Sequence, residues 1–443
     1  MFKKLINFGH SKLALLDEHT LEVVKKSFSS TIVKVVGMII GLGISVFLGR
    51  TIGAEGLGII NLSNRVVNIL LVVGLLGMRQ VIIKEVAIAH NKKDYAHIGN
   101  VMHTAYWLNG GITLALTVIV ILITPWLTNN IFHEPRLKWP LIIGLIVTVP
   151  QIFSRIFSSA LVGYRKIWQS NLVENALSSA VTGLLILILW LFKQEITVYK
   201  VAVIYAIGRI VVTISVGTYW NSIYNYKAKH QKITKQLLRT ALPLLVVTFS
   251  GMIMTNADTI VLGALLNTKD VGLYSVAARL ALLTSFFLQV SNAAISPKLA
   301  ALYESGQIKE LEKMVQQVTK GLGIIGILPF IIYLILGKYI LNIWGLEFIG
   351  AYWILLILSL GQFVNLATGA VGLILIMTGH ERIHERISLF AVCLTLFLVY
   401  ILTLKFGAIG TAIAVATTII FENLAKLFFV KRNVKISVIK LIR

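Results

Sequence analysis

Residues 47–65 read FLGRTIGAEGLGIINLSNR, and residues 261–279 read VLGALLNTKDVGLYSVAAR. Shifted by 214 positions, Leu48 falls on Leu262, Gly49 on Gly263, Gly58 on Gly272 and Arg65 on Arg279. The register runs on without a gap: Gly37-Met38-Ile39 lies on Gly251-Met252-Ile253, Lys84 on Lys298 and Ala87 on Ala301. Each copy passes from an apolar stretch through a tight turn into a second apolar stretch, then into a basic amphipathic segment. That segment is IIKEVAIAHNKKDYAHIGNVM (82–102) in the first copy and SPKLAALYESGQIKELEKMVQQV (296–318) in the second. Shared residue types, spacing and order point to an internal duplication.

The composition says what kind of chain was duplicated. Of its 443 residues 57% are apolar and 13% charged, where a soluble domain carries about a quarter charged. The apolar residues come in runs of about 20, the length that crosses a bilayer core. The chain therefore reads as an all-α integral membrane protein. Twelve spans are expected, near 28–49, 57–78, 101–123, 140–162, 172–192 and 198–220, then 241–266, 272–296, 321–341, 350–378, 387–405 and 407–430. Cys393, the one cysteine, lies inside an apolar run and excludes an intramolecular disulfide or a multi-thiolate metal site.

An even number of spans puts both termini on one side, and the basic residues say which. The tails and the even-numbered connections hold 27 of the 41 Lys and Arg. The odd-numbered connections and span edges hold only Arg50, Arg136, Lys138, Lys193, Lys200, Lys269, Lys338 and Lys405. Cytoplasmic loops carry the excess of positive charge, so both termini are expected in the cytoplasm. The net charge of +23, which in a soluble protein would suggest nucleic acid, is accounted for mainly by this orientation. The N-terminal MFKKLINFGHSKLALL lacks a clean apolar core with a small-residue cleavage site and reads as a cytosolic tail rather than a signal peptide.

Six spans per copy give two lobes inserted in the same orientation. They would be related by a pseudo-two-fold axis along the membrane normal, with a substrate path between them. The expected division is a first lobe over 1–222, a basic cytoplasmic linker over 223–240 and a second lobe over 241–443.

GHERIHER (379–386) contains the H-E-x-x-H spelling of a zinc peptidase in His380, Glu381 and His384. It falls in a short connection between two spans, with Arg382 and Arg386 interleaved where a dication would bind. A solvated turn is the better reading, and no metal site is expected. No G-x-x-x-x-G-K-[ST] stretch and no large outer loop occur, so neither ATP hydrolysis nor an enzymatic domain is expected, and no catalytic residue or cofactor is assigned.

Several charges lie within spans. A cation at mid-span costs about 2.5–3.5 kcal/mol on insertion scales and so faces protein or a wet cavity. Lys426, one turn after Glu422, reads as half of a structural pair. Lys34 and Arg155 lie near the inner ends, where long side chains can snorkel or face the cavity. Arg209 sits at the centre of its span, and Arg65 and Arg279 lie two turns deep at equivalent positions of the two copies. These five are the candidate substrate-binding cations. Asp258 either pairs with Arg279 to fasten adjacent spans or exchanges a proton or cation during a transport cycle.

The L-G-R-x-x-G-x-x-G-x-G turn at 48–58 and NADTIVLGALLNTKDVGLYSVAARL (256–280), with its Gly-x-Tyr turn, resemble Wzx-type O-antigen repeat-unit flippases. These belong to the multidrug/oligosaccharidyl-lipid/polysaccharide (MOP) exporter superfamily. The resemblance implies a MATE-like architecture. It also implies an undecaprenyl-pyrophosphate-linked oligosaccharide cargo, flipped between the leaflets of the bacterial inner membrane for surface polysaccharide synthesis. Membrane lipids and the polymerase and chain-length machinery would be partners, and nucleic acid would not. Peptidoglycan-precursor flippases usually carry two further spans that this chain lacks. The alternatives are a small-molecule exporter of the same fold, which for cationic drugs would need acidic rather than basic cavity residues, and a membrane enzyme. Arginine suits the implied cargo: its guanidinium binds diphosphate oxygens bidentately and stays charged in poor solvent.

Overall fold

The computed structural model describes residues 18–226 and 231–439. Within them every regular element is a helix. In chain order these are α1 (Glu18–Leu75), α2 (Met78–Asn91), α3 (Tyr95–Trp126), α4 (Lys138–Ile146), α5 (Thr148–Gly163), α6 (Ile167–Asn171) and α7 (Ser178–Leu191). They continue with α8 (Val198–Ile223), α9 (Thr234–Leu265), α10 (Thr268–Glu304), α11 (Ile308–Asn342), α12 (Tyr352–Ala367), α13 (Val371–Met377) and α14 (Glu381–Phe429). Single-turn 3-10 or π segments connect several of them. Among the described residues, seven helices are long and apolar enough to cross a bilayer, and up to ten if each of three bent pairs is one span. Large apolar side chains such as Leu122, Phe192, Ile335 and Phe397 stand exposed around the outside, as they must where the solvent is lipid and only the helix satisfies the backbone.

Two of the helices fold back on themselves at a glycine. In α14, Gly407 has φ 59° and ψ −144°, a conformation open to glycine because it lacks a Cβ. Past it, a Cβ on Gly410 would sit 1.9 Å from the Leu402 carbonyl oxygen, and the Thr403 and Thr411 hydroxyls are hydrogen-bonded at 2.7 Å. In a straight helix residues eight apart would be separated by about 12 Å. In α1 the break is at Gly53, with φ 70° and ψ −179°. Gly41 and Arg65 on either side of it line one cavity, although a straight helix would set them about 36 Å apart. The basic segment after the second apolar run is itself helical: α2 buries Val81, Ile82, Val86 and Ala89 and leaves Lys84 outside.

The α1 turn meets the connection between α9 and α10, and the two do so reciprocally. A Cβ on Gly58 would lie 1.7 Å from the Thr268 carbonyl oxygen, and one on Gly272 would lie 1.9 Å from the carbonyl oxygen of Ala54. Residues 54 and 268 are equivalent at the 214-residue offset, as are 58 and 272. Carboxylates repeat the exchange. Glu347 accepts from the Ala54 amide at 2.7 Å, and Glu134 accepts from the Thr268 hydroxyl at 3.0 Å. Arg50 Nε donates to the Ile343 carbonyl at 2.7 Å and Trp344 Nε1 to Ser45 Oγ at 3.0 Å. Together these contacts close the turn-bearing end of the molecule.

Candidate functional site: a cationic cavity between the repeats

Between the α1 hairpin and α10 lies a cavity of about 610 Å³. Lys34, Gly41, Asn61, Asn64 and Arg65 line it from α1, and Ser275, Arg279 and Gln289 from α10, with Ser179 and Tyr205 completing one side. No Asp or Glu is among its described lining residues. The wall is therefore net positive, and its neutral polar groups are amides and hydroxyls.

The two arginines are held in equivalent ways. Arg65 Nη1 donates to the Thr255 carbonyl at 3.1 Å and to Asn256 Oδ1 at 3.0 Å. Arg279 Nη1 donates to the Gly41 carbonyl at 3.1 Å. Residues 41 and 255 are equivalent at the same offset that relates 65 and 279, so each arginine crosses to the same carbonyl of the other repeat. A guanidinium has five N–H donors, and one terminal nitrogen on each is used here. Both charges are half-buried and neither has a carboxylate partner among the described residues.

Not all of the candidate cations meet in the cavity. It gathers Lys34, Arg65 and Arg279 and leaves Arg155 and Arg209 outside its wall. Arg155 on α5 lies 3.6 Å from Glu174, which also pairs with Arg79 and accepts from Ser158 at 2.7 Å. That acidic residue, at the edge of its span, was the partner that a reading of span interiors overlooked. Arg209 on α8 donates to Asn64 Oδ1 at 2.8 Å. With the Gln151 carboxamide oxygen turned towards it, its Nη1 and Nε also donate at 2.9 and 2.7 Å. Arg209 thus lines a small recess behind Asn64 and Tyr205, both of which also face the large cavity.

Asp258 forms no ion pair with Arg279. Its Oδ2 accepts from Tyr274 Oη at 2.8 Å and its Oδ1 from the Thr259 amide at 2.6 Å. Lys426 joins Glu422 at 2.6 Å, one turn apart on α14, and Glu422 also accepts from Ser388. At the closed end, the Arg136 guanidinium beside Glu134 holds that carboxyl below the usual carboxylate range. The amides Asn61, Asn64, Gln151 and Asn256 escaped the sequence reading. Their one legible signal was a strongly polar side chain inside an apolar run.

The HERIH segment forms a helix start rather than a fully solvated turn. His380 stands at the N-cap position of α14 without a side-chain capping bond and shares a hydrogen bond with Thr378 at 3.1 Å. Glu381, Arg382, Glu385 and Arg386 are exposed, while His384 turns inward against Gly372. Among the described residues no third His, Cys, Asp or Glu converges on the pair.

The family described as "Polysaccharide biosynthesis protein" matches residues 23–302. The chain belongs to that family. It is 27% identical over 216 residues to a capsular polysaccharide biosynthesis protein of Staphylococcus aureus, covering 48% of this chain and 54% of that one. It is 26% identical over 172 residues to a Haloferax volcanii protein named "Probable low-salt glycan biosynthesis flippase", covering 39% and 36%. The matches thus span about half and about a third of these relatives' lengths. Among solved structures, an inward-facing multidrug resistance MATE family transporter of the MOP superfamily matches with a TM-score of 0.74 at 15% identity, covering 91% of this chain and 98% of that one. The lipid II flippase MurJ in an inward closed conformation matches at 0.70 and 16% identity, covering 92% and 87%. An outward-facing MATE transporter matches at 0.60 and 16% identity, covering 94% and 96%. This member of the polysaccharide biosynthesis family therefore has the MOP-exporter fold and is a multi-pass membrane protein.

Proposed function

We propose that this protein is a flippase that carries polyprenyl-pyrophosphate-linked oligosaccharide repeat units across the bacterial inner membrane by alternating access. The observation that carries the reading is the acid-free cavity into which Arg65 and Arg279 project from opposite repeats. A lipid-linked glycan must bring a diphosphate through the low-dielectric interior. Two guanidiniums with unused donors meet that charge with bidentate hydrogen bonds. Cationic drugs would be repelled from the same wall. Names of the relatives, a capsular polysaccharide biosynthesis protein and a glycan flippase, agree in cargo class.

Counting the α1 and α14 hairpins as two passes each, and each bent pair as one, gives twelve spans. The lobes on this reading are 1–222 and 241–443, joined by the basic linker 223–240, and the distribution of Lys and Arg puts both termini in the cytoplasm. The closed end is then periplasmic, and the cavity opens towards the cytoplasm, where the cargo is assembled. When a diphosphate enters, Arg65 and Arg279 turn their donors to its oxygens and release the Thr255 and Gly41 carbonyls. Those bonds join the halves, so binding the cargo loosens the contact that opposes rocking. The carrier is taken to be undecaprenyl and the consumers the polymerase and chain-length machinery. Arg209, one layer behind, adds positive potential through Asn64, while Arg155 braces the first lobe. Asp258 is the carboxylate at which proton exchange would free Tyr274 and loosen α9 from α10.

The test is Arg65→Gln combined with Arg279→Gln. Surface polysaccharide should fall by at least tenfold at unchanged protein level, with lipid-linked repeat units accumulating on the cytoplasmic leaflet. Full export by the well-expressed double variant would refute the reading.

A further inference from the structure

A second cavity, of about 420 Å³, lies at the linker-bearing end between the start of α3 and the end of α8, and shares no lining residue with the arginine cavity. Its wall is aromatic and amide: Tyr106, Trp220, Tyr224 and Tyr226, with Asn221, Asn225 and the imidazole of His103. Among the described residues no Lys, Arg, Asp or Glu lines it. Its rings are fixed in place. His90 stacks on Tyr164 at 4.2 Å, Tyr164 meets Trp220 edge-on at 5.1 Å, and Trp220 stacks on Tyr224 at 5.6 Å and 12°. The Tyr224 hydroxyl donates to the Tyr95 carbonyl at 2.8 Å, and Tyr106 packs between Phe153 and Phe157 at 5.9 and 5.5 Å.

Aromatic residues gather at membrane interfaces to meet headgroups, and Trp107, 66% exposed on the outside of α3, fits that role. Trp220 does not: it is 2% exposed and turned into the molecule beside a void. Among the described residues, the carboxamides of Asn221 and Asn225 make no hydrogen bond to the protein, so their donors and acceptors are available. Rigid ring faces offer an apolar platform at low entropic cost. Free carboxamides both give and take hydrogen bonds. A wall of rings and amides, with no Lys, Arg, Asp or Glu among its described residues, suits a neutral polar occupant better than an ionic one. The ligand that combines apolar C–H faces with a rim of hydroxyls, and carries no charge, is a sugar ring. The volume falls in the range of about 300–1,000 Å³ common for small-ligand sites, enough for a mono- or disaccharide.

We infer that this cavity is a glycan-docking site, which takes sugar rings of the repeat unit on the linker side, apart from the diphosphate-binding arginines. The inference rests on the flippase reading for the source of its ligand. A site that reads the sugar separately lets the transporter select its repeat unit although every lipid-linked glycan carries the same diphosphate.

The probe is the free repeat-unit oligosaccharide, cut from the host's own surface polysaccharide and lacking both diphosphate and lipid. It is titrated onto the purified full-length protein in detergent and read by saturation-transfer difference NMR. Transfer should be seen with the parent and with the Arg65→Gln, Arg279→Gln double variant. It should weaken at least fivefold with Asn221→Ala combined with Tyr226→Ala, two exposed positions whose loss leaves the aromatic stack intact. Asn221→Gln should recover most of it. Absence of transfer to the parent, transfer unchanged in the Asn221, Tyr226 variant, or transfer lost in the arginine variant would overturn the inference. The export assay above judges the flippase reading separately, because it turns on the arginine variant and not on the sugar.

Discussion

Gly58→Ala tests how the closed end is sealed. The added methyl would start 1.7 Å from the Thr268 carbonyl oxygen, about half of an ordinary carbon–oxygen contact of roughly 3.3 Å. The obstacle is backbone, so no side chain can swing away. Relief requires the α1 and α10 turns to separate by about 1.5 Å, which strips the bonds that the Ala54 amide donates to Glu347 and the Thr268 hydroxyl donates to Glu134. Overpacking costs about 1–3 kcal/mol, and most of it falls on the closed conformer because only there do the turns touch. A coupling of that size moves the closed-to-open ratio by about 5- to 150-fold. The assay replaces Cys393 with Ser, the chain's one cysteine, and introduces Ser275→Cys in the cavity wall. Cells are then treated with a membrane-impermeant maleimide. Labelling from outside should be slow in this background and at least fivefold faster once Gly58→Ala is added. Gly272→Ala should act alike, because a Cβ there meets the Ala54 carbonyl at 1.9 Å. Gly111→Ala, with nothing within 4 Å, should change nothing. Equal labelling of Gly58→Ala and its background, with unchanged thermal stability, would refute the sealing argument.

Arg209→Lys keeps the charge but loses the fork that meets Asn64 and Gln151, so surface polysaccharide should fall partly, whereas Arg209→Ala should abolish it, both at normal protein level by immunoblot. Glu174→Gln removes the carboxylate shared by Arg79 and Arg155 and should cost about 1–3 kcal/mol, read as a lower thermal midpoint, with export falling in proportion to abundance. Glu134 has its folded pKa lowered chiefly by Arg136. Its contribution is therefore present above the ordinary carboxylate pKa and lost as pH falls through the lowered one. Acidification into that range should speed outside labelling of the Ser275→Cys reporter, and Glu134→Gln should label fast at every pH. His380→Ala with His384→Ala should leave export within twofold of the parent, since among the described residues no third ligand joins the pair; loss of export at normal abundance would revive a metal-dependent reading.

Much of the architecture was legible because membrane insertion writes itself into composition. Apolar runs of about 20 residues are a local property, and a repeat at a constant offset needs only the chain laid against itself. The same offset singled out Arg65 and Arg279 as equivalents before any contact was known. Glu174 and the amides around Arg209 were less accessible, because a polar group's role depends on which distant helix it faces. Arg155 shows the difference: its sequence context allows snorkelling, a cavity or a pair, and only the arrival of Glu174 from the next span decides among them.

By itself, then, the sequence determined that the chain lives in the bilayer, that two of its stretches repeat at a fixed offset, and which cations had to be accounted for. It did so through hydration costs that any helix of that composition would meet. Only the tertiary structure decided that Arg65 and Arg279 cross to each other's repeat, that Asp258 answers to Tyr274 rather than Arg279, and that Arg209 stands one layer behind the cavity. Those outcomes depend on distances between residues up to 238 positions apart. A hydrogen bond that holds near 3 Å and fails beyond 3.5 Å is settled by how helices pack, not by what each of them contains.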